Sequence, residues 1–149
     1  IANNTAFEAL RLMDTPELRQ QLDAVLARYK LEAYRDSTVS ALAQGVRKLL
    51  DIAMAVVSRP KILLLDEPTS GISVEEKFDF MDIVMDALKG DGVTVLFVEH
   101  DMEIVARYVS RVLAFYQGEI IADMPPKKAL SDKKVQEFVI GKEHYKRKR

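Results

Sequence analysis

The chain has 149 residues, 48% of them hydrophobic, a net charge of −1 and no cysteine. That length suits one domain with a substantial core. The balanced charge gives no global pull toward nucleic acid, and the missing cysteine excludes disulfides and thiolate metal sites. No apolar run reaches the roughly 20 residues of a membrane-spanning helix and no signal peptide is read, so any membrane role is expected to be peripheral. The start at Ile1 rather than Met reads as a fragment or a processed product.

Asn3–Tyr34 is expected to be helical, with Thr15 as N-cap and Pro16 at the first helical position. Leu18, Leu22, Val25, Leu26 and Tyr29 would form its apolar stripe. Arg35–Gln44 reads as polar and irregular. Val46, Leu49, Leu50, Ala53, Met54 and Val57 recur at helical spacing, which predicts a core-facing helix closed by Pro60. The next run predicts a strand over Lys61–Leu65 buried on both faces and stopped by Pro68. Ser73 and Glu76 have capping-box spacing and open a third helix with Val74, Phe78, Met81, Val84, Met85 and Leu88 inward. Asp91-Gly92 is a turn, and Val93–Val98 is a second continuous apolar strand. Strand, helix and strand at this spacing imply a right-handed crossover and parallel pairing.

A short helix with Met102, Val105 and Val109 is expected after Asp101. Arg111–Tyr116 and Glu119–Asp123 alternate around Gln117-Gly118 and predict a hairpin. Pro125-Pro126 breaks the chain, and one or two short helices end near Ile140. The basic tail Lys142–Arg149 reads as a solvated end, with contact to anionic lipid or RNA as the alternative.

Asp66 and Glu67 fall at the C-terminal end of the first strand, the edge where open α/β sheets place their chemistry. A hard cation such as magnesium needs oxygen ligands, and a hydrolytic water needs a base, so one carboxylate could serve each role. The second strand ends in Glu99-His100-Asp101, which would bring His100 to the same edge. Gly45, just before the expected helix start, can offer backbone N–H groups to an anion. Taken singly, each feature has a plain reading: surface carboxylates, a packing or capping histidine, a loop entering a helix.

Together these residues resemble the ATP-binding-cassette (ABC) ATPase family, over about Asn3–Ile140. Leu42–Val46 takes the place of the signature loop, and Ile62–Glu67 that of the Walker B strand with its catalytic glutamate. Ser70-Gly71-Ile72-Ser73 takes the D-loop position and His100 that of the switch histidine. Glu99-His100-Asp101-Met102 looks most like the ATPases of branched-chain amino-acid and urea-type importers.

The resemblance implies an α/β fold: a partial P-loop NTPase core with parallel strands, a helical subdomain and a C-terminal hairpin plus helices. Residues 1–44 would be the helical subdomain ending in the signature loop, 45–123 the C-terminal half of the ATPase core, and 124–149 the C-terminal helices and basic tail. It implies ATP and Mg2+ as cofactors. Asp66 would hold magnesium through water, Glu67 would orient and deprotonate the attacking water, and His100 would contact the γ-phosphate. Leu42, Ala43, Gln44, Gly45, Val46, Ser70 and Ser73 would meet nucleotide in a head-to-tail dimer. The implied partners are a second ABC ATPase subunit, in a homo- or heterodimer, and transmembrane permease subunits met through the region around Asn3–Tyr34. That puts the protein peripherally at the cytoplasmic face of the membrane, with no nucleic-acid partner.

Three departures qualify the pattern. No Gly-x-x-x-x-Gly-Lys-Ser/Thr phosphate loop occurs; Gly141-Lys142 is followed by Glu143 and preceded by Gln136 where the first glycine is needed. The polypeptide alone is therefore expected to bind ATP poorly and not to hydrolyse it. Ala43, Gln44, Gly45 and Val46 stand where the family usually has Ser, Gly, Gly and Gln. One lost hydrogen bond to a charged group costs roughly 1.5–3 kcal/mol. Ser73 replaces the usual D-loop aspartate but is as good an N-cap. Keeping Asp66, Glu67 and His100 while altering Ala43–Val46 suggests a heterodimer with one strong and one weak site. A non-transport ABC ATPase and a non-catalytic interaction module are the competing functions.

Overall fold

The computed structural model describes Thr15–Gly141. The expectations for Asn3–Asp14 and for the basic tail lie outside the described residues. The chain divides into two compact units, one comprising the chain to Leu63 with Gly71–Val95, the other Leu64–Ser70 with the chain from Leu96.

The first unit begins with α1, Pro16–Arg28, capped as expected by Thr15, whose Oγ1 accepts from the Leu18 N–H at 3.2 Å. The helix stops before Tyr34. Lys30 turns left-handed (φ 55°), and the N–H groups of Leu31 and Lys30 return to the Leu26 and Ala27 carbonyls. This is a Schellman stop made without glycine, closed by the buried pair Leu26 and Leu31. Single 3₁₀ turns follow at Glu32–Tyr34 and Val39–Ala41. Only the C-terminal half of the α1 stripe is covered: Tyr29 is buried, while Leu18 and Leu22 are half exposed.

Helix α2, Gln44–Val57, packs against α3, Lys77–Leu88. The inward face of α2 is Leu49, Ile52, Ala53 and Val56; Met54 and Val57 are exposed, contrary to expectation. Apolar residues run more than halfway round this helix, so periodicity alone does not decide which way it faces. In α3, Phe80, Met81, Val84, Ala87 and Leu88 are buried. Val74 is exposed because the segment before Lys77 is a turn rather than helix. Ser73 Oγ accepts from the Glu76 N–H at 3.3 Å and donates to Glu76 Oε2 at 2.9 Å. One half of the capping box thus forms, while the Glu76 carboxylate meets the serine hydroxyl rather than the Ser73 backbone N–H.

Strands β1, Ile62–Asp66, and β2, Thr94–Val98, are parallel neighbours, as expected. The Thr94 N–H donates to the Lys61 carbonyl at 2.9 Å in the first unit, and the Glu67 N–H to the Val98 carbonyl at 3.0 Å in the second. Neither strand is buried on both faces. Leu63 is buried, but Ile62, Leu64, Leu96 and Val98 are more than half exposed. The described residues cover one face only, and exposure alternates with the pleat.

The second unit continues with α4, Met102–Tyr108, and the hairpin of β3, Val112–Tyr116, and β4, Glu119–Met124. Gln117 and Gly118 both have positive φ (49° and 82°), the signature of a two-residue primed turn. Ala114 faces Ala122, Phe115 faces Ile120, and Ile121 bulges between them. The two alanines leave room for Val135 to close the core, with Ile121, Met124 and Ile140 around it. Pro126 opens α5, Pro126–Ala129, and Asp132 caps α6, Lys133–Val135, which runs on as a π-turn to Ile140. Tyr116 and Phe138 stack at 4.6 Å. No described helix is long and apolar enough to cross a membrane.

Candidate functional site

Asp66 ends β1 exposed. Glu67 follows in the left-handed region (φ 44°), a conformation that costs a non-glycine residue of order 1–3 kcal/mol. Its backbone is pinned from both sides. The N–H donates to Val98 of β2, and the carbonyl accepts from the Ser70 N–H at 3.1 Å. The turn aims the side chain at the neighbouring strand end, where Glu67 Oε1 lies 3.5 Å from His100 Nδ1. Both side chains are at least half exposed. The structure therefore brings Glu67 and His100 together, with Asp66 one residue away in the strand.

Beneath them lies a group the sequence reading passes over. The Glu99 side chain is 1% exposed. Oε1 accepts from the Thr69 N–H at 3.2 Å and from the Thr69 hydroxyl; Oε2 accepts from the N–H groups of His100 at 2.9 Å and Asp101 at 3.2 Å. A buried carboxylate is tolerated only with such a set of donors. Asp101 in turn caps α4, its Oδ1 accepting from the Glu103 N–H at 2.9 Å. The available signal was a carboxylate directly after an apolar strand, with a threonine two residues past Glu67.

The signature-like loop belongs to the first unit. Leu42 is buried. Ala43 is the N-cap of α2 with no side-chain hydrogen bond, and Gln44 is already helical. Gly45 thus sits within the first turn, not ahead of it, because the helix starts earlier than its apolar period. Gly71 sits at φ 73°, where any side chain is strained, and a Cβ there would lie 2.2 Å from Gln44 Nε2, so the Gln44 amide would have to move aside. Gln44 from the signature position therefore lies directly over Gly71 from the D-loop position. Ser73 closes its turn with Glu76, Ser70 is exposed after Thr69, and Val46 is half-buried.

No group of three or more His, Cys, Asp or Glu among the described residues is arranged to hold a metal. Magnesium in phosphoryl-transfer sites is bound by one or two carboxylates together with water and substrate phosphates rather than by a protein cage. The exposed oxygen donors of Asp66 and Glu67 fit that requirement.

Residues 1–70 match the family described as ABC transporter. A putative ABC transporter ATP-binding protein of Onion yellows phytoplasma is 33% identical over 138 residues, covering 89% of this chain and 23% of that protein. The energy-coupling factor transporter ATP-binding protein EcfA3 of Clostridium perfringens is 29% identical, covering 91% of this chain and 48% of the relative. The crystal structure of a nucleotide-free ATP-binding cassette from an ABC transporter superposes with a TM-score of 0.75 at 30% identity, over 93% of this chain and 56% of that one. The chain spans about a quarter to a half of the curated relatives it matches. Motifs, fold and relatives agree that it belongs to the ABC transporter ATPase family.

Proposed function

We propose that this chain is the C-terminal part of the ATP-binding, ATP-hydrolysing subunit of an ABC transporter. The observation that carries the reading is the 3.5 Å approach of Glu67 Oε1 to His100 Nδ1 at the ends of two parallel strands. Asp66 would hold magnesium through water, which neutralises phosphate charge when bound. Glu67 orients a water and takes its proton as the oxygen attacks the γ-phosphorus and the bond to the β–γ bridging oxygen breaks. His100 donates to a γ-phosphate oxygen. Phosphoryl transfer asks for such positioning and charge neutralisation more than for covalent chemistry.

Residues 1–44, 45–123 and 124–149 then serve as helical subdomain, catalytic half-core and C-terminal extension. The region around Asn3–Tyr34 meets permease subunits, placing the protein at the cytoplasmic membrane face. A branched-chain amino-acid substrate rests on Glu99–Met102 alone. The signature-like loop, with Ala43 and Val46 in place of hydrogen-bonding residues, serves a partner's nucleotide weakly, which favours a heterodimer. Gln44 lying over Gly71 supports a second reading, a subunit that pairs without clamping nucleotide.

The test is phosphate release by the 149-residue chain and by the complete cassette. The chain alone is expected to be inactive and the cassette active. Robust magnesium-dependent turnover by the chain would sink the half-site reading, and a cassette inactive in every subunit pairing would favour the second one.

A further inference from the structure

We propose that Glu99 is a positioning residue that locks the loop bearing His100 onto the turn following Glu67 and so sets the spacing of those two groups. The inference rests on the function proposed above. Glu67 and His100 leave separate strands with side chains at least half exposed, so packing alone does not fix their separation. A single buried carboxylate spans the gap. One oxygen holds Thr69, two residues after Glu67; the other holds the backbone of His100 and Asp101. Four donors converge on two oxygens, and no neutral group of that size can accept all four. An amide in place of the carboxylate turns its NH2 toward one donor pair, whichever way it is flipped. One side of the lock then opens while the shape of the side chain is kept.

Glu99→Gln, Thr69→Val and Thr69→Ser separate the lock from the chemistry. In the 149-residue chain, amide hydrogen exchange of Thr69, His100 and Asp101 is expected to quicken about tenfold or more in Glu99→Gln, while hairpin amides at Ala114 and Ala122 stay protected. In the complete cassette, Glu99→Gln and Thr69→Val should each lower kcat about tenfold with KM for ATP within about twofold, as loss of orientation rather than of binding requires. Thr69→Ser, which keeps the hydroxyl, should restore kcat.

Unchanged exchange at Thr69 and His100 in Glu99→Gln overturns the lock. Faster exchange with unchanged kcat overturns the positioning role. Loss of hairpin protection marks an unfolded variant, and Thr69→Val against Thr69→Ser then decides alone: equal kcat in those two overturns the proposal. If Glu67→Gln leaves kcat intact, the function proposed above is what fails, and the exchange result still reports on the lock.

Discussion

Two corners of this chain carry family motifs, and they are built in opposite ways. At the Glu67–His100 corner, exposed polar groups stand on a buried carboxylate with four donors. At the Gln44–Gly71 corner, Ala43 and Val46 stand where the family usually has hydrogen-bonding side chains, and an amide side chain lies over the glycine. A nucleotide-facing group is worth holding rigid only where it has a task. Polar support retained in one corner and lost in the other is what a division of labour between two nucleotide sites would leave behind.

The largest expected effect breaks the first corner. Glu67→Gln in the complete cassette should lower kcat by about 100-fold or more while ATP still binds, the range for loss of a general base. Phosphate release against nucleotide-binding titrations checks it, and a loss of less than about threefold would remove Glu67 from the chemistry. The second corner should respond to repair. Ala43→Ser restores one hydroxyl donor and should tighten nucleotide clamping in the paired cassettes about tenfold to a hundredfold, from roughly 1.5–3 kcal/mol for one bond to a charged group. No gain would mean that Gln44, not the missing hydroxyl, limits that corner.

Gly71→Ala should destabilise the chain by about 1–3 kcal/mol in urea unfolding, since it adds a Cβ at φ 73° and drives it into Gln44. Adding Gln44→Ala should recover the clash but not the backbone cost. Strict additivity of the two changes would show that the side chains do not meet in solution.

The smallest effect is a control within the second unit. Arg111 pairs with Asp123 through two bonds of 2.7 and 2.6 Å on an exposed surface. The guanidinium's hydrogen bonds hold the Asp123 carboxyl below its ordinary 3.8. A depressed carboxyl contributes stability above the unfolded value and loses it as pH falls through the lower folded value. The wild-type melting temperature should therefore drop slightly more between pH 5 and roughly pH 3 than that of Asp123→Asn. A large difference would show that surface pairing, rather than the buried Glu99, organises this unit.

Much of the scaffold was legible in the sequence because its signals are local. Thr15-Pro16 announces α1, Gln117-Gly118 announces the hairpin, and the crossover from β1 to β2 follows from spacing. What escaped depends on partners distant in sequence. The stop at Lys30 uses left-handed backbone at a residue that rarely takes it. The face of α2 is chosen by what packs on it, not by its period. Asp66, Glu67 and His100 stand out because acids and a histidine after aliphatic runs are conspicuous. Glu99 hides in that same polar run, since a charge beside a histidine reads as solvated until Thr69, thirty residues away, is seen beneath it.

The half-open pleat of β1 and β2 has a practical consequence. Leu64, Leu96 and Val98 expose apolar surface from neighbouring strands. A chain carrying such a greasy strip should brighten environment-sensitive dyes while fully folded and turn cloudy with rising concentration or salt. At the bench, these aliphatic side chains add to the other exposed apolar groups of a chain whose nearly neutral charge does little to keep its copies apart.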